Sequence, residues 1–466
     1  MRIKAEYNLH PLPQFNGNPL TEALAICQEP EVLADEASTN LGPVDFWNIS
    51  TVYQHAVLQD FSSIYVAAPQ STIMYMKFAA LILDTYSKSH PFNPKHSQYK
   101  YELAKQTHAR PPYFDSNLEL PSGTTASSML IHGLSGIGKT IAIRTVLSWF
   151  PQVITHHSYN GKHYRQDQIV WISLDLPSTP SVKAFALNFF LAVDVALGTS
   201  NYYEAWSQQT RASVDQHLNA MRQIAKTHEV GLIHIDELKF MLKYAKSKDS
   251  PTLQMLEALF NKIGIPLVLS STSAGLELLE MPLSRSTVNL DMTTTRRMLN
   301  DREIKFDLLR RDNKQFDKLF NAFFPSFLQR PGTELCPNFK DKFHHLSCGL
   351  PAIMARLAHL YHETLIQLVG KNSKVPPPVI LLEHVYKQQF KLIGPALEQL
   401  RARNVKQYEA MLSEIEQQRG AYSDKEKKAI RRGDKKIVPS VKKDGMFEHQ
   451  VAMPISGQQA IPKGFI

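Results

Sequence analysis

Eight consecutive residues constrain this chain more than any others. Gly133-Leu134-Ser135-Gly136-Ile137-Gly138-Lys139-Thr140 satisfies the pattern G-x-x-x-x-G-K-[ST] at every fixed position, directly after the apolar run Met129-Leu130-Ile131. The run reads as a strand, and Thr140 to Phe150 reads as a helix. A loop of this composition between strand and helix turns main-chain N–H groups inward around phosphates. Gly133, Ser135, Gly136, Ile137 and Gly138 form the cradle, the Lys139 ammonium reaches the outer phosphates, and the Thr140 hydroxyl ligates magnesium. The expected ligands are a nucleoside triphosphate, ATP, and Mg2+. A ligand-free glycine-rich turn would carry similar letters, but glycine makes up only about 7% of an average sequence, so a chance match is rare.

The second half of the chemistry lies a hundred residues downstream. Leu232-Ile233-His234-Ile235-Asp236-Glu237 is an apolar strand ending in two acids. Asp236 can hold the metal, and Glu237 can polarise an attacking water. The sequence separation from the loop suits two intervening strand-helix passes, so this strand is expected beside the loop's own strand. His234, inside the strand, reads as a buried neutral histidine. Pro266 to Ser273 is another strand, ending in hydroxyls; Thr272, with Ser271 next, is a candidate to orient the lytic water, and a turn or cap hydroxyl is the plainer alternative. Arg296-Arg297, in a polar stretch, could be presented to a neighbour's nucleotide or could be ordinary surface arginines. Gly349-Leu350-Pro351 opens a helix in which Arg356 could reach a phosphate of the same site.

The rest of the chain must carry these motifs. At 466 residues it is too long for one small core, and 43% apolar with 20% charged residues is ordinary for a globular protein. Cys27, Cys336 and Cys348 are far apart and odd in number, which argues against a disulfide framework and for a reducing cytoplasm. His344, His345 and Cys348 cluster, yet no paired spacing completes a four-ligand metal site. The first residues lack the apolar core of a secretory signal, and no run approaches the roughly 20 apolar residues of a membrane span. Net charge is +9, and the stretch Asp424 to Asp444 supplies five of these charges, with nine Lys/Arg against four Asp/Glu. Such a tail is either solvated chain or an anchor for nucleic acid or an acidic partner.

Composition and periodicity divide the chain into four parts. Residues 1–125 are rich in Pro, His and Tyr and read as an accessory domain, with a helix at Ser71 to Ser87 and a loop-like run from His90 to Pro112. Residues 126–312 alternate strands and helices, the signature of an α/β core with a parallel sheet covered on both faces. Within it, Val153 to His156 and Gln168 to Leu176 read as strands, with Asn160-Gly161 a tight-turn signal. Thr179 and Pro180 read as the start of a helix ending near Leu197, and Ser213 to Thr227 as a second amphipathic helix. Thr252 to Ile263 reads as a helix and Lys305 to Leu309 as the last strand. Residues 313–420 read as an α-helical lid and further helices, and 421–466 as a basic flexible tail.

Beyond these motifs, the chain resembles the TnsC/TniB transposition regulators of the AAA+ ATPases. The likeness runs through Pro151-Gln152-Val153-Ile154, Leu187-Asn188-Phe189-Phe190, Ala196-Leu197-Gly198, the stretch Gly231 to Glu237, Ile263-Gly264-Ile265-Pro266 and Thr295-Arg296-Arg297. It continues into Val385-Tyr386 and Pro395 to Leu400, while Arg2-Ile3-Lys4-Ala5 and Asn18 to Leu24 look like the start of the longer TnsC members. Two places depart from the family pattern: Ser271-Thr272-Ser273 stands where Gly-Thr-Pro is usual, and Met281 to Asn300 matches only at Arg296-Arg297.

The resemblance implies an AAA+ P-loop fold and an ATPase that assembles as a ring or helical filament with copies of itself on double-stranded DNA. It further implies contact with a TnsD/TniQ-type target selector through the N-terminal domain and with a TnsA/TnsB-type transposase through the basic tail, in a bacterial cytoplasm and away from membranes. Hydrolysis would time disassembly. Lys183, early in a helix, is the first candidate for DNA phosphate contact; Lys239 and Lys243 follow, with Lys246 and Lys248, and a solvated lysine is the plain alternative for each. On the residues alone, a metabolic phosphoryl-transfer enzyme and a nucleotide-switched scaffold that oligomerises without DNA stay open.

Overall fold

The loop's strand becomes the fourth of five parallel strands, and the order of those strands decides what faces the loop. In the computed structural model, which describes residues 1–108, 128–177, 181–236, 264–272, 302–371 and 373–415, β1 (Arg2–Lys4), β2 (Ser128–Gly133), β3 (Val153–Tyr159), β4 (Lys162–Ile169), β5 (Trp171–Asp175), β6 (Leu232–Asp236), β7 (Leu267–Ser271) and β8 (Glu303–Phe306) form two sheets. The larger has the order β5-β6-β7-β2-β8, with every pair parallel. The α/β core with a parallel sheet is thus present. The loop strand and the Asp236 strand are not neighbours, however: β7 stands between them. Sequence separation counts passes and carries no information on which gap a later strand fills.

β2, β6 and β7 are buried along their whole length, as near-continuous apolar runs in a covered parallel sheet should be. The smaller sheet has the order β1-β3-β4. Asn160 and Gly161, both at positive φ, turn β3 into β4 as the tight-turn signal predicts. The single strand expected from Gln168 to Leu176 is broken at Val170: β4 ends at Ile169 in the hairpin and β5 begins at Trp171 in the larger sheet.

The helices are α1 (Pro19–Glu22), α2 (Pro30–Ala37), α3 (Thr51–Gln59), α4 (Pro69–Ser87), α5 (Pro94–His108), α6 (Lys139–Ser148), α7 (Val182–Leu197), α8 (Asn201–Ser207), α9 (Val214–Thr227), α10 (Lys314–Phe323), α11 (Pro337–Ser347), α12 (Pro351–Gly370), α13 (Pro378–Gln389) and α14 (Gly394–Arg401). Helix α9 has a full capping box, with Ser213 and Gln216 bonding each other's main chain. Helix α7 starts two residues later than expected, with Ser181 rather than Thr179 as its N-cap, and its Phe185, Phe189, Phe190 and Val193 enter the main core beneath the sheet.

Helix α5 replaces the loop expected between His90 and Pro112. Asn93 accepts a hydrogen bond from the Lys95 N–H at 3.0 Å and Pro94 takes the first helical position. His96, Tyr99, Leu103 and Gln106 form the buried stripe at helical spacing. Two of the four are polar, so hydropathy hides the period. They are accommodated by charge: Glu229, buried at the end of α9, meets Lys100 at 2.5 Å and His96 at 3.2 Å, and Lys226 donates to the Ser89 hydroxyl at 3.0 Å. Against the opposing effect of burial, the Lys100 and Lys226 charges and the His96 hydrogen bond hold the Glu229 carboxyl down at about 2.

The chain divides into Met1–Met411, which holds all the elements above, and Leu412–Ile466. Within the first, the N-terminal stretch is tied to the nucleotide core: β1 pairs with β3, and the Tyr86 hydroxyl donates to the Ile169 carbonyl at 3.1 Å. Helices α10 to α12 pack around Phe320, Phe324, Phe339, Phe343 and Tyr361, joined by edge-to-face ring contacts. Among the described residues, no helix is long and apolar enough to cross a membrane.

Candidate nucleotide site

A cavity of about 420 Å³ opens at the carboxyl ends of β2, β6 and β7, where parallel α/β sheets characteristically take ligands. Three parts of the chain wall it. Ser135 to Ala142 supply one side, Asp236, Ser270, Ser271 and Thr272 the far end, and the segment Phe61 to Ala68 together with Phe306, Gln315, Leu319, Phe323, Pro351, Ala352 and Ala355 the remainder.

The loop is shaped for an anion. Gly136 and Gly138 both sit at positive φ, 80° and 95°, and Gly138 is the N-cap of α6, so α6 begins at Lys139 with its N-terminal dipole facing the cavity. Lys139 is 9% exposed, and its ammonium donates to the Gly133 and Leu134 carbonyls at 2.8 and 2.9 Å. The cation is therefore already inside the cradle, bonded to carbonyls that a phosphate can replace.

Asp236 gathers the hydroxyls. The Thr140 hydroxyl donates to its Oδ2 at 2.8 Å, and the Ser270 hydroxyl donates to its Oδ1. Because β7 runs parallel between β6 and β2, with Ile235 opposite Leu269, the next residues along place Ser270 beside Asp236. A carboxylate and a hydroxyl at a phosphate cradle form an oxygen donor set that suits Mg2+. His234, two residues earlier, is fully buried, and its Nδ1 shares a hydrogen bond with the Ser173 hydroxyl at 2.9 Å; burial pushes its pKa down to about 4, so it is neutral, as expected.

The other expected site residues fall in three groups. Gly136, Gly138, Lys139, Thr140, Asp236, Ser135, Ile137 and Thr272 all line the cavity, and Gly133 closes the loop's base. Arg356 lies in α12 next to Ala355 but is absent from the cavity wall; burial lowers its pKa, partly opposed by the Glu363 charge. Lys183, the second residue of α7, is partly exposed and close enough for its charge to help lower the pKa of His217. Glu237, Arg296, Arg297, Lys239 and Lys243 lie outside the described residues. His344 and Cys348 are used structurally: the His344 ring bonds the Leu309 carbonyl at 2.8 Å, and no group of three metal-ligating side chains occurs among the described residues.

Sequence reasoning missed two parts of the site. Ser270 is one, and its signal was a hydroxyl at the end of an otherwise apolar, fully buried strand. The other is the segment Phe61 to Ala68, which matches no motif. It is pinned by paired main-chain bonds between Thr39 and Tyr65, at 2.8 and 3.1 Å, and by Phe61 stacking on Phe323 of the lid. The lid also touches the loop directly, since the Ala352 N–H in the first turn of α12 donates to the Gly136 carbonyl at 3.1 Å.

Residues 122–279 match the family described as AAA domain. The match spans the phosphate loop and the Asp236 strand. The matched segment contains the loop, Asp236 and Ser270, while Phe61 to Ala68, α10 and the start of α12 complete the cavity from outside it. No curated protein matches the chain. Among solved structures it is similar to the Walker-type ATPase PABY2304 of Pyrococcus abyssi, at 13% identity over 66% of this chain and 76% of that one, with a TM-score of 0.35. It is also similar to Cdc6p from Pyrobaculum aerophilum, at 13% identity over 61% and 66% of the two chains, TM-score 0.31. The PCH-2 structure from C. elegans shows 10% identity over 72% and 73%, TM-score 0.30. Scores this low carry no argument about what the chain does.

Proposed function

We propose that this chain is an ATP-hydrolysing regulator of DNA transposition that assembles with copies of itself on double-stranded DNA. The observation that supports the nucleotide chemistry is the convergence of the Lys139 cradle, the Thr140 hydroxyl and the Asp236 carboxylate in one cavity. Mg2+ held by Thr140 and Asp236 would neutralise charge on the outer phosphates. Lys139 leaves its carbonyl partners for the phosphates, and Ser270 holds the second Asp236 oxygen and so fixes the carboxylate's orientation. Glu237, next in sequence, polarises the attacking water, with Thr272 at the same end of the cavity to orient it. The apolar wall of Phe61, Ile64, Val66, Leu319 and Phe323 takes the base.

The transposition reading rests on the TnsC/TniB resemblance along the chain. On that reading a TnsD/TniQ-type selector recruits the oligomer, a TnsA/TnsB-type transposase reads it, Arg296 or Arg297 completes a neighbour's site, and Lys183, Lys239 and Lys243 contact DNA phosphates. Binding to phosphates is salt-sensitive and nearly indifferent to sequence. The test is the ATPase rate with and without duplex DNA, using Lys139→Ala as control. DNA stimulation lost in the variant supports the proposal. A wild-type rate indifferent to DNA, with no ATP-dependent DNA binding, sinks the transposition reading and leaves only the ATPase.

A further inference from the structure

The lid presents a narrow choice of polar groups to the cavity. Its wall residues are Gln315, Leu319, Phe323, Pro351, Ala352 and Ala355, so Gln315 is the lid's sole polar side chain among the described lining residues. The main-chain N–H of Ala352 is already bonded to Gly136. Arg356 is absent from the wall, and Glu363 lies close enough for its charge to raise the Arg356 pKa against burial.

Gln315, Leu319 and Phe323 recur every four residues along α10 and form one face of that helix. Leu319, Phe323, Phe61, Ile64 and Val66 make this part of the wall apolar, with Phe61 stacked on Phe323, a surface of the kind a flat base lies against. Gln315 is one turn closer to the phosphate loop. Like Ile137, Phe306 and Pro351, it also lines a second, wider cavity that reaches Gly133 and Leu134 of the loop. The main-chain N–H of Gln315 is held by the Asn313 side chain at 2.8 Å, which seats the residue at the start of α10. Its side-chain amide, by contrast, bonds to no described group. An unpaired amide between a base slot and a phosphate cradle faces the part of a nucleotide that joins the two.

We infer that Gln315 binds the sugar hydroxyls of the nucleotide, and that this contact, rather than one from Arg356, couples the lid to the ligand. The inference rests on the nucleotide reading above. An amide both donates and accepts, which matches a hydroxyl pair. It carries no charge, so it senses whether a nucleotide is present without contributing to the stabilisation of the transferring phosphate.

The experiment is a calorimetric titration of the full chain with ADP and with 2′,3′-dideoxy-ADP, repeated for Gln315→Met, which keeps the length and removes the polar atoms. The wild type should bind ADP about tenfold more tightly than the dideoxy form, the worth of one or two net hydrogen bonds. Gln315→Met should lose ADP affinity by about the same factor and bind both ligands alike, while Arg356→Met should keep the wild-type preference. Equal affinity of the wild type for the two ligands overturns the assignment whether or not the variants fold, and so does a preference that survives in Gln315→Met. Failure of the wild type to bind ADP at all would overturn the nucleotide site itself, a result distinguishable from binding without hydroxyl discrimination.

Discussion

Gly136→Ala tests whether the lid and the phosphate loop are one mechanical unit. Gly136 has φ of +80°, a conformation that costs an L-residue about 1–2 kcal/mol. An added Cβ would stand 3.1 Å from the Ala352 Cβ, inside the roughly 3.5–4.0 Å optimum for carbon contacts. Ala352 must therefore yield by a few tenths of an ångström, which stretches its 3.1 Å hydrogen bond to the Gly136 carbonyl towards the edge of useful range, a loss of up to about 1 kcal/mol. The total is about 2–3 kcal/mol, split between backbone strain and displacement of α12. Urea denaturation and ADP titration measure the two parts. Adding Ala352→Gly removes the clash and leaves the strain, so the double variant should recover about 1 kcal/mol relative to additive single effects. Unchanged stability in Gly136→Ala, or strict additivity in the cycle, would refute the contact as the link between lid and loop.

Other outcomes follow from the same geometry. Ser270→Ala frees one oxygen of Asp236 and should cut the ATPase rate about tenfold at low Mg2+ with a smaller loss at saturating Mg2+; equal rates across a magnesium titration would contradict it. Glu237→Gln should preserve ATP binding and stop turnover, read as tight retention of labelled ATP. Glu229→Gln leaves Lys100 and buried Lys226 without their counter-charge and should destabilise the fold by about 3 kcal/mol in urea melts at neutral pH. His234 has a folded pKa depressed to about 4, below the ordinary histidine value of 6.5. Its contribution is therefore fully present above 6.5 and lost as pH falls towards 4, with about 3 kcal/mol as its upper bound at 1.36 kcal/mol per pKa unit. Melts at stepped pH should show stability falling through that window, and less steeply in His234→Gln.

The phosphate loop, the acid-ended strand and the lid helix beginning at Pro351 were legible because each pairs a composition signal with a local geometry that no distant contact can alter. The capping box of α9 and the Asn160-Gly161 turn were legible for the same reason. What escaped the sequence is what tertiary contacts decide. The buried face of α5 includes the polar His96 and Gln106, the first of them paired with Glu229, so its period is invisible to hydropathy. The insertion of β7 between β6 and β2 is a choice of gap in a sheet, and it is this choice that turns Ser270 from a strand residue into a partner of Asp236. Phe61 to Ala68 becomes part of the site through the Thr39–Tyr65 bridge and the lid, both remote in sequence from the loop.

The central claim, that bound nucleotide governs assembly on DNA, is tested most directly by sedimentation velocity of the full chain with a labelled duplex in the presence of a non-hydrolysable ATP analogue, ADP or no nucleotide. The account predicts a fast-sedimenting DNA-bound oligomer with the analogue alone, absent in Lys139→Ala and weakened steeply as salt is raised. DNA sedimenting identically in all three nucleotide states would contradict it.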